Sequence, residues 1–424
     1  MMTRRWVLLV VALVFGLAAD AGAEPRTPKA PAQKTQKASP PSRAPLQIYL
    51  AKGGADACGR ACNEWIAIEG YFDRAAIGRV QAFLRRHGAR KRPVYFHSPG
   101  GSGIAAMAIG RELRARGLVT GAGKTIPRAC ASADHGSEAC RAAKRSSQVV
   151  EADWRPDATC SSACVYALLG GAERWVPPSA RLGVHAGRFR LTLIRKHADG
   201  RVERLTEKHV PSLQKVRAAE FDAQLRRYIR DMGIDGTLFD TAVKVPHESI
   251  HYLSRNQIAA FGIDRREFME TPWITVTSTK GSLFVSKWMV EALGDDRKDY
   301  RASSILLSCA GPQRAELRYW RSVNGNGGTK PATFAITIGA RTVVLIETGT
   351  IAKSDVFETG GALAGSRSSV EFDMLEAAAA GNSISVKESD PWNSATPSRL
   401  FKMSTQGLAE HVKLLRDKCA TPAG

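Results

Sequence analysis

Residues 92–117 read RPVYFHSPGGSGIAAMAIGRELRARG, and their order decides the fold. A strand, VYFHS, runs directly into the turn PGG, and the apolar spacing after Ser102 predicts a helix closed by Gly117. Strand, glycine turn and helix make an α/β crossover unit. The glycines fall at the carboxyl end of a strand, where open α/β sheets keep their sites.

Outward from this unit the same rhythm continues. Upstream, LQIYL and WIAIEGYF read as strands, and DRAAIGRVQAFLRRHG as a helix capped by Asp73 and stopped at Gly88. Downstream, residues 118–157 are polar and cysteine-flanked, and read as a loop-like insertion stapled by Cys130 and Cys140. TCSSACVYALLGG (159–171) then predicts a helix beginning near Ser162, and RLGVHAG (181–187) a short strand carrying His185. Two strand-like runs around Asp199-Gly200 signal a hairpin. It brings Arg188, Arg190, Arg195, Lys196, Arg201 and Arg204 just after His185.

Residues 212–233 form an amphipathic helical pattern ended by Gly233, and PHESIHYLSRNQIAAFGID a loop followed by a short helix. From about residue 272 the character shifts to strands, among which SSVEFDMLEAAAAG is read as one, with a last helix at TQGLAEHVKLLRDKC. NGNGGTK lacks the spacing and context of a phosphate loop and reads as a hairpin loop.

The chain opens on MMTRRWVLLVVALVFGLAADAGAEP, with a basic start, an apolar run and small residues before Glu24. This pattern predicts a secretory signal peptide over 1–23. Residues 24–45, rich in Pro, Lys and Ala, read as a disordered linker. A domain over 46–270 and a smaller β-rich domain over 271–424 follow, with no transmembrane segment after signal cleavage. The expected location is the periplasm or the exterior.

Charge divides the chain unevenly. The formal net charge is +21, yet residues 271–424 hold 18 Lys/Arg against 15 Asp/Glu, so the first 270 residues carry nearly all of it. A basic front half favours an acidic partner, an anionic membrane surface or a cell-wall polymer, or is simply a well-solvated face. Without an RNA or DNA motif, no nucleic-acid partner is expected.

Eight cysteines in an exported chain read as disulfides. They fall as Cys58 with Cys62, Cys130 with Cys140 and Cys160 with Cys164, leaving Cys309 and Cys419, the two that follow residue 164. Cys160 and Cys164 bond either to each other or to the insertion. Zinc is the rival reading for Cys58 and Cys62, but no second pair with a neighbouring histidine accompanies them, so neither a metal nor a cofactor is expected.

Acyl transfer needs a nucleophile, a base and backbone donors aimed at the oxyanion. SPGG (98–101), SSAC (161–164) and LGVH (182–185) supply candidates in that sense. Singly each is a turn, a helix cap or a core histidine. Ser162 is therefore either an N-cap or a nucleophile at a helix N-terminus.

Together the three stretches resemble the Clp protease proteolytic subunit (ClpP), a serine peptidase of the ClpP/crotonase superfamily. That family places an NSPGG turn after a strand, a nucleophilic serine at the mouth of a helix and the catalytic histidine on a strand shortly after. Here the turn is HSPGG, with His97 in place of Asn. The resemblance covers roughly residues 46–264. The CxSAC run and SIHYLS are further similar to a bacterial group of periplasmic ClpP-like proteins.

The resemblance implies an α/β fold of repeated strand-strand-helix units wound into a ClpP/crotonase-like superhelix. It implies Ser162 as nucleophile, His185 as general base, and the backbone N–H groups of Gly101 and Ala163 as the oxyanion hole. The implied substrate is a peptide or protein, with an acidic one favoured by the basic hairpin. Oligomerisation, common in the superfamily, leaves a homo-oligomer open. The family's aspartate registers on Ile250, which cannot orient an imidazole. Glu248 is the substitute acid, with Ser249, His247 and His251 as alternatives, or Ser162 and His185 act as a dyad.

The expected function is thus an exported serine hydrolase, a peptidase. The alternative is a non-catalytic binding or scaffold protein on the same fold. Acyl-CoA chemistry of the crotonase type suits the fold, but export away from cytosolic acyl-CoA opposes it.

Overall fold

The computed structural model describes residues 44–420 apart from 60, 88–90, 131–137, 146–148, 190–191, 207, 279–280, 293–299, 324–332, 339–340, 354–361, 382 and 390–398. The signal-like segment 1–23, nearly all of the linker, Gly88, Arg190 and the NGNGGTK loop lie outside the described residues. The described chain is a mixed α/β structure within one compact unit, Arg43–Gly424.

Its first part runs β1 (Gln47–Lys52), β2 (Glu64–Glu69), α1 (Ala76–His87), β3 (Val94–His97), α2 (Gly103–Ala115), β4 (Thr120–Ala122), β5 (Lys124–Pro127), α3 (Glu138–Arg145) and β6 (Val150–Arg155). Among the described residues these strands, with β8 (Arg174–Trp175) below, form a sheet ordered β5-β6-β1-β2-β3-β4-β8. The run β2-β3-β4-β8 is parallel. Trp65 to Glu69 of β2 are all buried, as an interior strand covered on both faces should be. Its isoleucines Ile66 and Ile68, fully buried, contribute roughly 1.5–3 kcal/mol each by leaving water.

The chain continues with β7 (Thr159–Ser161), α4 (Ala163–Leu169), β8 and β9 (Arg181–Val184). Then follow the hairpin β10 (Thr192–Lys196) and β11 (Val202–Thr206), α5 (Pro211–Asp231), α6 (Thr237–Val243), β12 (His251–Tyr252) and α7 (Arg255–Ala260). All seven residues of α4 are buried. A helix apolar on every side belongs inside a core, and α4 packs in one with α2 and α5 residues such as Leu113 and Ile229. Strands β12-β9-β7 make a second small sheet, joined to the first by the bridge between Ser98 and Cys160.

Two elements depart from the sequence reading. The insertion 118–157 is not loop-like: it supplies β4, β5, α3 and β6, and β6 pairs in parallel with β1. The reason is alternation, since Val150, Ala152 and Trp154 are buried while Glu151 and Asp153 are exposed. Helix α3 is fixed by the Cys130–Cys140 disulfide and by Lys144, whose Nζ lies 2.7 Å from Glu69 Oε2. The stretch SSVEFDMLEAAAAG also divides. Its first residues end a strand, while Phe372–Ala380 is a helix, because an alanine run favours helix and Phe372, Leu375 and Ala378 are buried on one side of it.

Residues from Phe268 onward build a ten-stranded antiparallel sheet among the described residues, from Phe268–Glu270 to Arg399–Ser404. Phe372–Ala380 and the terminal helix Leu408–Ala420 contribute to its own buried cluster, which includes Trp273, Tyr319, Phe372 and Leu415. The Cys309–Cys419 disulfide ties that terminal helix to the strand Tyr300–Gly311. All eight cysteines are paired in the sequence-adjacent manner. Among the described residues no helix is long and apolar enough to cross a membrane.

Candidate active site

The glycine turn is held by its own serine. Ser98 N–H donates to Thr159 O and Ser161 N–H to Ser98 O, which sets the end of β3 beside β7. Ser98 Oγ donates to the Gly70 carbonyl and accepts the Gly100 N–H at 3.0 Å. Gly100 and Gly101 have φ of +102° and +142°, which side chains other than glycine's rarely adopt. Phe72 exchanges hydrogen bonds with Gly100 O and Ser102 N, passing over Gly101. Among the described residues no acceptor takes the Gly101 N–H.

Ser162 sits where β7 turns into α4. Its φ of 56° and ψ of −123° are those of a strained residue, in a region uncommon for any residue but glycine. The side chain makes no capping hydrogen bond, which removes the N-cap reading. Instead the backbone N–H donates to Gly183 O at 2.7 Å, and Ser162 is half-buried between the buried Ser161 and Ala163. A sharp strand-to-helix turn is the geometry that presents a serine hydroxyl. The Cys160–Cys164 disulfide closes this turn, with Cα atoms 5.2 Å apart.

The glycine turn and the serine are in contact. A Cβ added at Gly100 would lie 2.7 Å from Ser162 Cβ and 3.1 Å from Ala163 N. The Ala163 amide opens α4 and, like that of Gly101, meets no backbone acceptor among the described residues. Two free amides thus flank the serine at a helix start, where the backbone field favours negative charge.

His185 follows β9, which pairs in parallel with β7 so that Ser161 faces Gly183. Serine and histidine therefore emerge from the carboxyl ends of adjacent parallel strands. His185 is buried, and among the described residues its Nδ1 has no hydrogen-bond partner of ordinary geometry. Burial holds its pKa below the ordinary imidazole value, helped by the neighbouring His247; the Ala186 carbonyl and Glu248 act in the opposite direction. Among the described residues no hydrogen bond joins His185 to Ser162 Oγ or to a carboxylate.

The segment beside His185 comes from before β12. Ala186 N–H donates to Val245 O, and His251 pairs with Val184. Ile250 lies against Gly183, its Cγ2 2.6 Å from where a Cβ would stand, so the position that the ClpP resemblance gives to an acid is filled by an alkyl group. Glu248 is exposed and reaches His185 only through space. His247 is the residue in contact: its ring centroid is 4.8 Å from that of His185, at an interplanar angle of 54°.

Two further residues matter that the sequence named only as part of the turn, without a role. His97, in the place of the family's Asn, accepts the Thr159 N–H on Nδ1 at 3.1 Å, and burial lowers its pKa. Ser98 locks the turn, as described above. The signal for both lay in the two residues before PGG. Behind that turn is a cavity of about 420 Å³ lined in part by Glu69, His97, Pro99 and Lys144.

The basic hairpin β10–β11 is a separate two-stranded sheet. Part of its charge is paired locally, Arg195 with Glu203 and Arg201 with Asp199.

No protein-family model matches the chain, and no curated protein does. Among solved structures, a mutant form of a membrane-bound stomatin-specific protease is similar at 12% identity, over 47% of this chain and 75% of its own, with a TM-score of 0.27. A likeness of that size carries no weight for the site.

Proposed function

We propose that the protein is an exported serine hydrolase of peptidase type with a ClpP-like superhelical fold over residues 46–270 and a β-rich C-terminal domain over 271–424. The observation that carries this reading is Ser162: strained, uncapped, half-buried, and set between a glycine turn and the strand that ends in His185. A serine in such a backbone conformation costs on the order of 1–3 kcal/mol, which a mere cap would not require.

In this reading Ser162 Oγ attacks a substrate carbonyl while His185 takes its proton. The C–O⁻ of the tetrahedral intermediate is received by Gly101 N–H and Ala163 N–H. His185 then returns the proton to the leaving amine as the C–N bond breaks, and water repeats the sequence to release the acyl group. The lowered pKa of His185 keeps it neutral, as a base must be at neutral pH. Glu248 contributes a favourable field to the imidazolium from a distance. The basic hairpin after His185 favours an acidic peptide or protein substrate. The four disulfides fit an oxidising compartment outside the cytoplasm.

Covalent labelling by a fluorophosphonate tests the reading. The parent protein labels, and both Ser162→Ala and His185→Ala lose the label. The second reading, a binding protein that keeps the fold without the chemistry, is favoured by one observation, the absence of a carboxylate hydrogen-bonded to His185. It predicts a folded, oxidised parent that does not label.

A further inference from the structure

We infer that His247 is the positioning residue of the site, accepting the Nδ1–H of His185 in the role that a carboxylate plays in a Ser-His-Asp triad. This assignment rests on the serine-hydrolase reading above. Three observations carry it. Among the described residues His185 Nδ1 is buried and has no hydrogen bond of ordinary geometry, the Ala186 carbonyl acting on the ring only weakly, and an unmet buried donor costs about 1–3 kcal/mol, so a better partner within reach is favoured. The His247 ring lies against His185, with centroids 4.8 Å apart. The site of the usual acid is taken by Ile250, and of His247 and Glu248, both exposed, it is His247 whose ring lies against His185.

The backbone fixes which nitrogen of His247 serves. His247 Nδ1 lies 3.2 Å from the Ala186 carbonyl, which can only accept, so Nδ1 carries the proton. Its Nε2 then has the lone pair, and Nε2 is the only acceptor on the ring. The Val245–Ala186 hydrogen bond holds this loop beside the end of β9. Among the described residues no hydrogen bond yet joins the two rings, whose centroids are 4.8 Å apart, and such contacts in unliganded sites are often long before substrate binds.

A neutral imidazole orients His185 and fixes its tautomer, but stabilises the imidazolium less than a carboxylate does. A slow hydrolase follows. The charged and titratable groups that face His185 are His247 and Glu248, both from the same loop.

The test measures the rate of fluorophosphonate labelling against pH for the full-length protein, for His247→Ala, for His247→Gln and for Glu248→Gln, with Ser162→Ala as the control. His247→Ala is expected to label about tenfold or more slowly. His247→Gln, whose amide oxygen can accept from Nδ1, recovers most of the rate. Glu248→Gln slows labelling less than His247→Ala does. Long-range ¹H–¹⁵N NMR of His185 gives a second readout that needs no activity: the Nδ1–H tautomer in the parent, and its loss in His247→Ala.

Parent-like labelling and an unchanged pH profile in His247→Ala, with Ser162→Ala silent, overturn the assignment and leave the hydrolase reading standing. A folded, oxidised parent that does not label overturns the hydrolase reading, and the catalytic role of His247 falls with it.

Discussion

Gly100 and Ser162 touch across two strands: a methyl group on Gly100 would come 2.7 Å from the Ser162 Cβ and 2.6 Å from the Ser161 carbonyl oxygen. The turn and the serine are thus one packed unit, although more than sixty residues of chain separate them.

That contact makes Gly100→Ala a sharp probe. Two costs combine: a left-handed φ of +102° for alanine, and an overlap with backbone that cannot move aside. A loss of roughly 1–3 kcal/mol is expected from the backbone conformation alone, and a further loss from the overlap. Urea unfolding measures it. A parent-like midpoint with retained labelling would show that the turn and serine are not packed as described.

The disulfides should differ in what they contribute. The Cys160–Cys164 bridge closes a separation of 4 residues and Cys309–Cys419 one of 110. Loop-closure entropy then gives roughly 2 kcal/mol for the first and roughly 5 kcal/mol for the second. Cys309→Ala/Cys419→Ala is expected to lower the unfolding midpoint more. Cys160→Ala/Cys164→Ala is expected to slow labelling of Ser162 more, because it loosens the turn that presents the hydroxyl. Equal effects of the two pairs on both measurements would count against this division.

Stability should fall on acidification from neutral pH. His97 and His185 both have pKa values depressed in the folded state, principally by burial. Below the unfolded value of about 6.5 the unfolded chain binds protons that the folded chain refuses, so stability is lost as pH falls from there toward the folded pKa. His97→Asn, whose side-chain oxygen can still accept the Thr159 N–H, should fold and show a shallower fall. A Tm that is flat from pH 7 to pH 5 in the parent would refute this.

Asp264 anchors the end of the α/β part. Its side chain is almost wholly buried, accepts from Val176 N at 2.8 Å, and meets Arg266 at 2.7 Å and Arg255 at 3.5 Å. Burial alone raises its pKa, but these two guanidiniums and the backbone donor outweigh it and hold the carboxyl below the usual range. Arg255 in turn lies over the Tyr300 ring, and Tyr300 N–H donates to Asn256 Oδ1, so the network reaches the β-rich part. Removing one partner of a buried ion pair costs about 3–5 kcal/mol. Asp264→Ala should show that loss in denaturant unfolding, and a change below about 1 kcal/mol would sink the claim.

The sequence by itself determined the local units. VYFHSPGGSG announced strand, turn and helix, since a short apolar run feeding Pro-Gly-Gly leaves the backbone little else. The spacing of the cysteines suggested near pairs but left Cys160 and Cys164 open between each other and the insertion, which the structure settles, and SSAC put Ser162 at the mouth of an apolar helix. What it read less well were segments whose state depends on neighbours. Residues 150–155 became a strand because β1 offers an edge to pair with, and 372–380 a helix because one apolar side of it is covered.

The environment of His185 was decided by tertiary structure alone. Sixty-one residues separate Ala186 from His247, and no local periodicity encodes which side chain of HESI meets His185. The pairing of β9 with β12 and the Val245–Ala186 hydrogen bond fix the path of that loop. That path sets His247 against His185, Ile250 over Gly183 and Glu248 in water, because the apolar pattern and turns of a segment are written in its own residues, whereas contact across strands is set by how the whole core packs.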